Sequence, residues 1–352
     1  MSIESSFRMV TFARKLFSKH SFSYCLGTND AILLTDSTKK CIRFSIKVPE
    51  SVCKSNKNGK SVLPASSAMA LFDELTTYGM MFADKNFRPG VSVHLNTELL
   101  LHDNKNNNKK NRSKSNNDLL INAGDDIIVE THITKIGRTV GFCDMKILNS
   151  KGKTIAITGK HIKYLPMGIV WDIITSPYLL PLTLPLFESQ WAKQFFQTPI
   201  GKSIGNSLFG VGDMEKHKSN ENHTDQIASS FDILGLECIS QPTDDLITFA
   251  FSVTPKMTNV LGDLHGGAVG MCAEEACSKL LQLLPNYKDR IFVSKSIEVR
   301  YLSSMKGKGL TISPRIIQDN TSINGEIVVE GEIKNSKNFT CAQFEITLLS
   351  LD

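Results

Sequence analysis

The sequence uses one pattern twice, over residues 41–165 and 227–350. In the first copy an alternating run, Cys41–Val48, ends at Pro49 and leads to a long apolar run, Ser67–Ala83. A strand-like segment follows, Val91–Leu101, and then three more, Ile127–Ile136, Val140–Leu148 and Thr154–Leu165. The second copy repeats the order. Leu246–Val253 alternates up to Pro255, the apolar run is Gly267–Leu284, and the strands are Phe292–Leu302, Leu310–Gln318, Ile323–Ile333 and Thr340–Leu349. Each apolar run is hydrophobic nearly all round, which predicts a helix buried on every side. Only a sheet can wrap a lone helix of that kind. The strands follow one another with short turns such as Asn149–Gly152, so that sheet must be antiparallel. The expected fold class is therefore α+β, with two tandem units, each a long buried helix wrapped by an antiparallel sheet.

The remaining chain is arranged around these units. Residues 104–117 contain only Asn, Lys, Arg and Ser and cannot bury apolar surface, so they predict a disordered insert within the N-terminal unit, 26–165. Residues 166–226 read as a proline-rich, then polar, linker to the C-terminal unit, 227–352. Within it, 167–187 is apolar enough to suggest a membrane span, but Asp172, Pro177, Pro181 and Pro185 favour a buried connector. In residues 1–25, Arg8, Lys15 and Lys19 fall opposite Phe7, Val10 and Phe17 on a helical wheel. That tail reads equally as a mitochondrial targeting segment or as a frayed surface helix, which leaves a mitochondrial or cytoplasmic setting. The eight cysteines form no C-x-x-C pair and lie in apolar stretches like small core residues, as in a reducing compartment.

The net charge of +5 suggests nucleic acid as a partner only until it is located. The 104–117 insert carries five basic residues and no acid, and the first twenty residues are basic too, so the rest of the chain is mildly acidic. No basic face for nucleic acid is expected.

The chemistry concentrates at Asn259-Val-Leu-Gly-Asp-Leu-His265-Gly266-Gly267, which leads straight into the second apolar run. First-turn N–H groups of a helix lack intrahelical partners, and glycines let a ligand approach them. Such a turn can hold an anion or a carbonyl oxygen that becomes an oxyanion. Glu274 follows His265 by nine residues, and Ser294 opens the next strand. A carboxylate two turns into an apolar helix is partly desolvated, which raises its pKa toward general-base values. Glu275 points about 100° away around the helix, and the spacing favours Glu274. In the first unit Asp73 takes the acid position and Ser92 the strand opening, but the His-Gly-Gly is missing and Pro64 stands nine residues before Asp73. His94, His132 and His161 read as surface or satisfied strand histidines, and no metal site is expected. Arg300 and Lys295 read as solvated strand cations. Ser66 and Ser67 lack a nucleophile-elbow context, and neither a Walker turn nor a dinucleotide fingerprint is present, so no cofactor is expected.

The Asn259–Glu274 segment resembles the acyl-CoA thioesterases of the hotdog superfamily, in particular the phenylacetate-type group. The doubled pattern extends the resemblance into a double hotdog. It implies hydrolysis of acyl-CoA to free acid and CoA without metal or cofactor. A backbone N–H at or near Gly266 and Gly267 would polarise the thioester carbonyl, and Asn259 and His265 would shape the pocket. Asp73 or Glu274 would act as base or nucleophile, with Ser92 or Ser294 positioning substrate or water. In the family, turn and acid usually come from opposite units, which would pair the His265 turn with Asp73 and Ser92. It would leave Glu274 and Ser294 facing the Pro64–Ser67 entry, with one live site per chain. Assembly into homo-oligomers of double-hotdog chains is also implied. The alternatives are a non-catalytic acyl-CoA-binding scaffold and a hotdog dehydratase, the latter disfavoured by the Asn-x5-His-Gly-Gly spacing.

Overall fold

A computed structural model describes residues 3–17, 22, 26–55, 59, 61–100, 120–149, 155–166, 173, 175, 179, 234–239, 247–259, 263–323 and 325–351. The expected insert at 104–117 lies outside these, as does nearly all of the 166–226 linker.

In the segment Cys41–Lys47, Ile42, Phe44 and Ile46 are buried while Cys41, Arg43 and Ser45 face outward, the period of two that a half-covered strand requires. The same logic generates most of the sheet. In chain order its strands are β1 (Ile32–Leu33), β2 (Cys41–Lys47), β5 (Val91–Leu99), β6 (Asp126–Ile136), β7 (Val140–Asn149), β8 (Ile155–Tyr164), β9 (Glu237–Cys238), β10 (Phe249–Phe251), β11 (Phe292–Tyr301), β12 (Leu310–Asn320), β13 (Glu326–Lys334) and β14 (Thr340–Ser350), with a separate hairpin of β3 (Lys54–Ser55) and β4 (Ser61–Val62). The order across the sheet is β1-β2-β6-β7-β8-β5-β11-β14-β13-β12-β10-β9, and every pairing is antiparallel. Read outward from the centre, β5-β8-β7-β6-β2 and β11-β14-β13-β12-β10 are the same arrangement. The two meet where β5 pairs with β11, from Ser296 opposite Glu98 to Arg300 opposite His94.

Two long helices cross the inner face, α2 (Ala65–Ala83) and α3 (Gly266–Leu283). Nearly every side chain of α2 is buried, as its continuous apolar run demands. The helices touch each other closely. A methyl at position 267 would lie 2.4 Å from the Ala70 Cα, and one at 270 would lie 2.8 Å from the Met69 sulfur. Gly267 therefore sets the distance between the helices. Gly267→Ala is expected to cost about 1–3 kcal/mol or more, because the clash is with backbone, and the midpoint of urea unfolding measures it.

Within the stretch 1–25, residues Ile3–Phe17 form helix α1 with Met9, Val10 and Ala13 buried. Phe7 meets Phe82 of α2 edge-on at 5.1 Å. Arg14 donates to the carbonyls of Thr28 (3.0 Å), Asn29 (2.9 Å) and Ala31 and pins the helix down. The apolar stripe of the segment thus finds a neighbour that a sequence pattern cannot reveal. The strand expected from Ile323 begins at Glu326, because the chain turns through Gly325 at φ +77° and leaves Ile323 exposed. Finally, Cys41 is half-buried on the outer face of β2 and Cys238 is exposed, unlike the other described cysteines, which are core residues. None of the helices among the described residues is long and apolar enough to cross a membrane.

Candidate active site

The start of α3 is built by its own loop. Asn259 closes a turn, with its N–H donating to the Asp263 carbonyl (2.8 Å) and its Oδ1 accepting from the Asp263 N–H (3.2 Å). The next extended residue, His265, donates its N–H to the Met257 carbonyl (2.8 Å) and caps the helix. The Tyr301 hydroxyl on β11 donates to the Gly266 carbonyl at 2.7 Å and holds the turn from the sheet side. Asp73, two turns into α2, faces this helix end. A methyl at 266 would lie 2.6 Å from Asp73 Oδ2 and 3.2 Å from Ser92 Oγ, so glycine is required for the carboxylate to come this close. The Gly267 N–H, one of the donors a helix start leaves unpaired, donates to Asp73 Oδ2 at 2.9 Å.

Cations surround the Asp73 carboxylate. His265 Nδ1 is 3.1 Å from Oδ2, and Lys163 Nζ is 3.8 Å from Oδ1. The Ser92 hydroxyl donates to Oδ1 at 2.7 Å. Burial by itself would raise this carboxyl, but His265, Lys163 and the Ser92 bond outweigh it and hold Asp73 well below the usual carboxylate range. His265 is bracketed by two acids, since its Nε2 lies 2.9 Å from Glu74 Oε2. Burial pushes its imidazole down, yet Asp73 and Glu74 reverse the sign and the net shift is upward. As imidazolium it donates from Nδ1 to Asp73 and from Nε2 to Glu74. When neutral, Nδ1 can accept from the Gly267 N–H, 3.1 Å away. Glu74 is held in place by the Tyr78 hydroxyl, which donates to Oε1 at 2.6 Å.

His161 on β8 behaves in the opposite way. It is fully buried, and burial together with the Lys163 charge pushes it down to about 3. Its Nε2 is 3.5 Å from Asp73 Oδ1, but a neutral ring makes no ion pair there. The Thr76 hydroxyl donates to the Phe72 carbonyl (2.5 Å) and lies 2.6 Å from Nδ1, Nε2 lies 3.0 Å from Ser92 Oγ, and Ser92 donates to Asp73. Nitrogen-15 NMR is expected to show a neutral His161 down to about pH 4, while His265 still carries a proton above the ordinary histidine value of about 6.5. The two histidines then act oppositely on stability. The His265 contribution is present below about 6.5 and is lost as pH rises through its raised folded value. The His161 burden appears as pH falls from about 6.5 toward 3, where only the unfolded chain takes up the proton.

A second cluster stands where α3 faces the start of α2. Glu274 is completely buried. Ser66 (2.5 Å) and Ser294 both donate to its Oε2, and Ser294 Oγ accepts the Ser66 N–H at 2.8 Å. Its Oε1 pairs with Lys54 of β3 at 3.0 Å, and Lys54 also donates to Ser278 Oγ at 3.0 Å. Here the helix is entered through Pro64, without a capping side chain. The sequence-derived candidates thus fall into two groups. Asp73, Ser92, His265, Gly266 and Gly267 converge, and Glu274 and Ser294 lie apart with Ser66 and Lys54. The Asn259 side chain bonds within its own turn. Arg300 and Lys295 are engaged in ion pairs with Glu298 (2.9 Å) and Glu326 (2.6 Å).

Sequence reasoning missed Glu74, Tyr78, Lys163, Tyr301 and Lys54, and read His161 only as a satisfied strand histidine. His161 and Lys163 sit two apart on one strand, so a shared face was legible. That this face abuts Asp73 was not.

No protein-family model matches the sequence, and no curated protein does. Solved structures do match over nearly the whole chain. A candidate thioesterase from Novosphingobium aromaticivorans superposes with a TM-score of 0.52 at 11% identity, covering 90% of this chain and 97% of the other. The tesB protein of Mycobacterium avium subsp. paratuberculosis gives 0.52 at 8% identity, with 94% and 100% covered. A candidate thioesterase II from Thermobifida fusca gives 0.50 at 8%, with 96% and 100% covered. At such identities the likeness is one of fold. The chain has the fold of these solved structures, a hotdog fold.

Proposed function

We propose that this protein is an acyl-CoA thioesterase built from two tandem hotdog units, with one working site formed between α2 and α3. The observation that carries the reading is the 2.9 Å approach of the Gly267 N–H to the Asp73 carboxylate, which sets a carbonyl clamp against a base across the helix–helix contact. In the reaction, the thioester carbonyl oxygen takes over the Gly267 N–H from Asp73 Oδ2. Asp73, freed on that side and still oriented by Ser92, accepts a proton from water. The water oxygen bonds to the acyl carbon, the carbon–sulfur bond breaks, and the CoA thiolate leaves with the free acid as the other product. His265 and Lys163 keep Asp73 ionised. The Glu274–Lys54 cluster is structural on this reading, because its carboxylate is already neutralised and faces no glycine turn.

The rival is a non-catalytic acyl-CoA-binding scaffold. It is favoured by the full set of bonds on Asp73, which leaves neither oxygen idle. Thiol release from acyl-CoAs of graded chain length separates the two. A thioesterase turns over at least one of them, whereas a scaffold binds without releasing thiol.

A further inference from the structure

We propose that Cys41, Glu130 and His132 form a binding site for a divalent transition-metal ion of the Zn2+ type on the outer face of the sheet, away from the Asp73 cluster. Cys41 on β2 stands directly opposite His132 on β6. Glu130 is two residues before His132, so the period of two puts it on the same face. The Cys41 sulfur is 3.9 Å from His132 Nε2, and the same nitrogen is 3.0 Å from Glu130 Oε2. The three ligand atoms all lie within 4.8 Å of one another.

These spacings suit tetrahedral zinc. Zn–S of about 2.3 Å and Zn–N or Zn–O of about 2.0–2.1 Å place sulfur and nitrogen roughly 3.6 Å apart, and nitrogen and oxygen roughly 3.3 Å apart. Shifts of about 0.3 Å reach both, and the sulfur–oxygen separation, within 4.8 Å, must reach roughly 3.6 Å. Thiolate and imidazole select Zn2+ over Ca2+ or Mg2+, zinc also accepts the carboxylate, and three ligands leave a fourth position for water. Arg43 Nε holds the other oxygen of Glu130 at 3.0 Å and so aims Oε2 at the site, an outer-shell contact of the kind that orients metal ligands. Arg43 and Lys146 bring positive charge to this face. Asp36, bonded to Arg43, and Asp144, opposite His132 on β7, offset it. Burial and Glu130 raise the Cys41 thiol, so the free site holds S–H, and binding transfers that proton to solvent as the sulfur–metal bond forms. The proposal does not depend on the thioesterase reading.

Titration of the full-length protein with Co2+ tests it. The expected result is one tightly bound ion per chain, with a sulfur-to-cobalt charge-transfer band and tetrahedral d–d bands, both abolished by Zn2+. Cys41→Ser should remove the charge-transfer band. His132→Asn should weaken binding by at least the roughly 10–100-fold that loss of an outer-shell partner produces. Cys238→Ser, which alters an exposed thiol elsewhere, should leave the spectrum unchanged. Absence of the band in the wild type, its survival in Cys41→Ser, or its loss in Cys238→Ser alone overturns the proposal.

Discussion

Asp73→Asn is expected to lower kcat for acyl-CoA hydrolysis by about 10²–10⁴-fold, the contribution typical of a positioned general base. The amide keeps the volume and can still accept the Ser92 hydrogen bond. It cannot take a proton from water, and its NH2 group replaces an acceptor in front of the Gly267 N–H and His265. The change also removes the negative charge that supports the His265 imidazolium, so the His265 titration should move down in the same variant. These two readouts separate chemistry from folding. A variant that has lost activity but retains a cooperative thermal transition and a downshifted His265 supports the role of Asp73. Turnover within a few-fold of wild type sinks it. The pH dependence follows from the same cations. Because Asp73 is held low, the acid limb of kcat/KM should fall below the ordinary aspartate value of about 3.9. Lys163→Met removes one of those cations and should move that limb upward.

The second large effect is on stability. Lys54→Met should destabilise the fold by about 3–5 kcal/mol, since it leaves the fully buried Glu274 carboxylate without its cation. Glu274→Gln should cost less, because the Lys54 side chain is 15% exposed and keeps Glu275 Oε2 at 3.9 Å. The double variant should recover part of the loss, because no unpaired charge remains, and a double-mutant cycle in urea unfolding measures the coupling. The turnover of the folded fraction should stay near wild type in all three. Loss of turnover in Glu274→Gln with Asp73→Asn still active would reverse the assignment of base and structural ion pair.

The contrast between Asp73 and Glu274 shows where the sequence stops being informative. Both acids lie two turns into a buried helix, and each is followed by a strand-opening serine, Ser92 or Ser294. Sequence spacing fits both, and it is the resemblance, through its pairing of turn and acid from opposite units, that points to Asp73 as the base. What separates them is the neighbour each meets across the helix contact. Asp73 meets a glycine helix start with unpaired N–H groups. Glu274 meets Ser66 behind Pro64, and a lysine from a short hairpin. Those neighbours come from the other half of the chain, 191 residues away for Glu74 and His265 and 208 for Ser66 and Glu274.

The local chemistry of the chain determined its elements. Period-two alternation, all-round apolar helices, short turns and the His265-Gly266-Gly267 entry follow from side-chain direction and backbone donors, and they needed no tertiary information. The tertiary structure alone decided three things. It gave the apolar stripe of residues 3–17 a place to bury itself. It aimed the inward face of β8, with His161 and Lys163, at Asp73. It set Cys41 beside Glu130 and His132 on the outer face. The reason is common to all three: a strand or helix pattern specifies which residues share a face, whereas what that face meets depends on contacts between segments far apart in the chain.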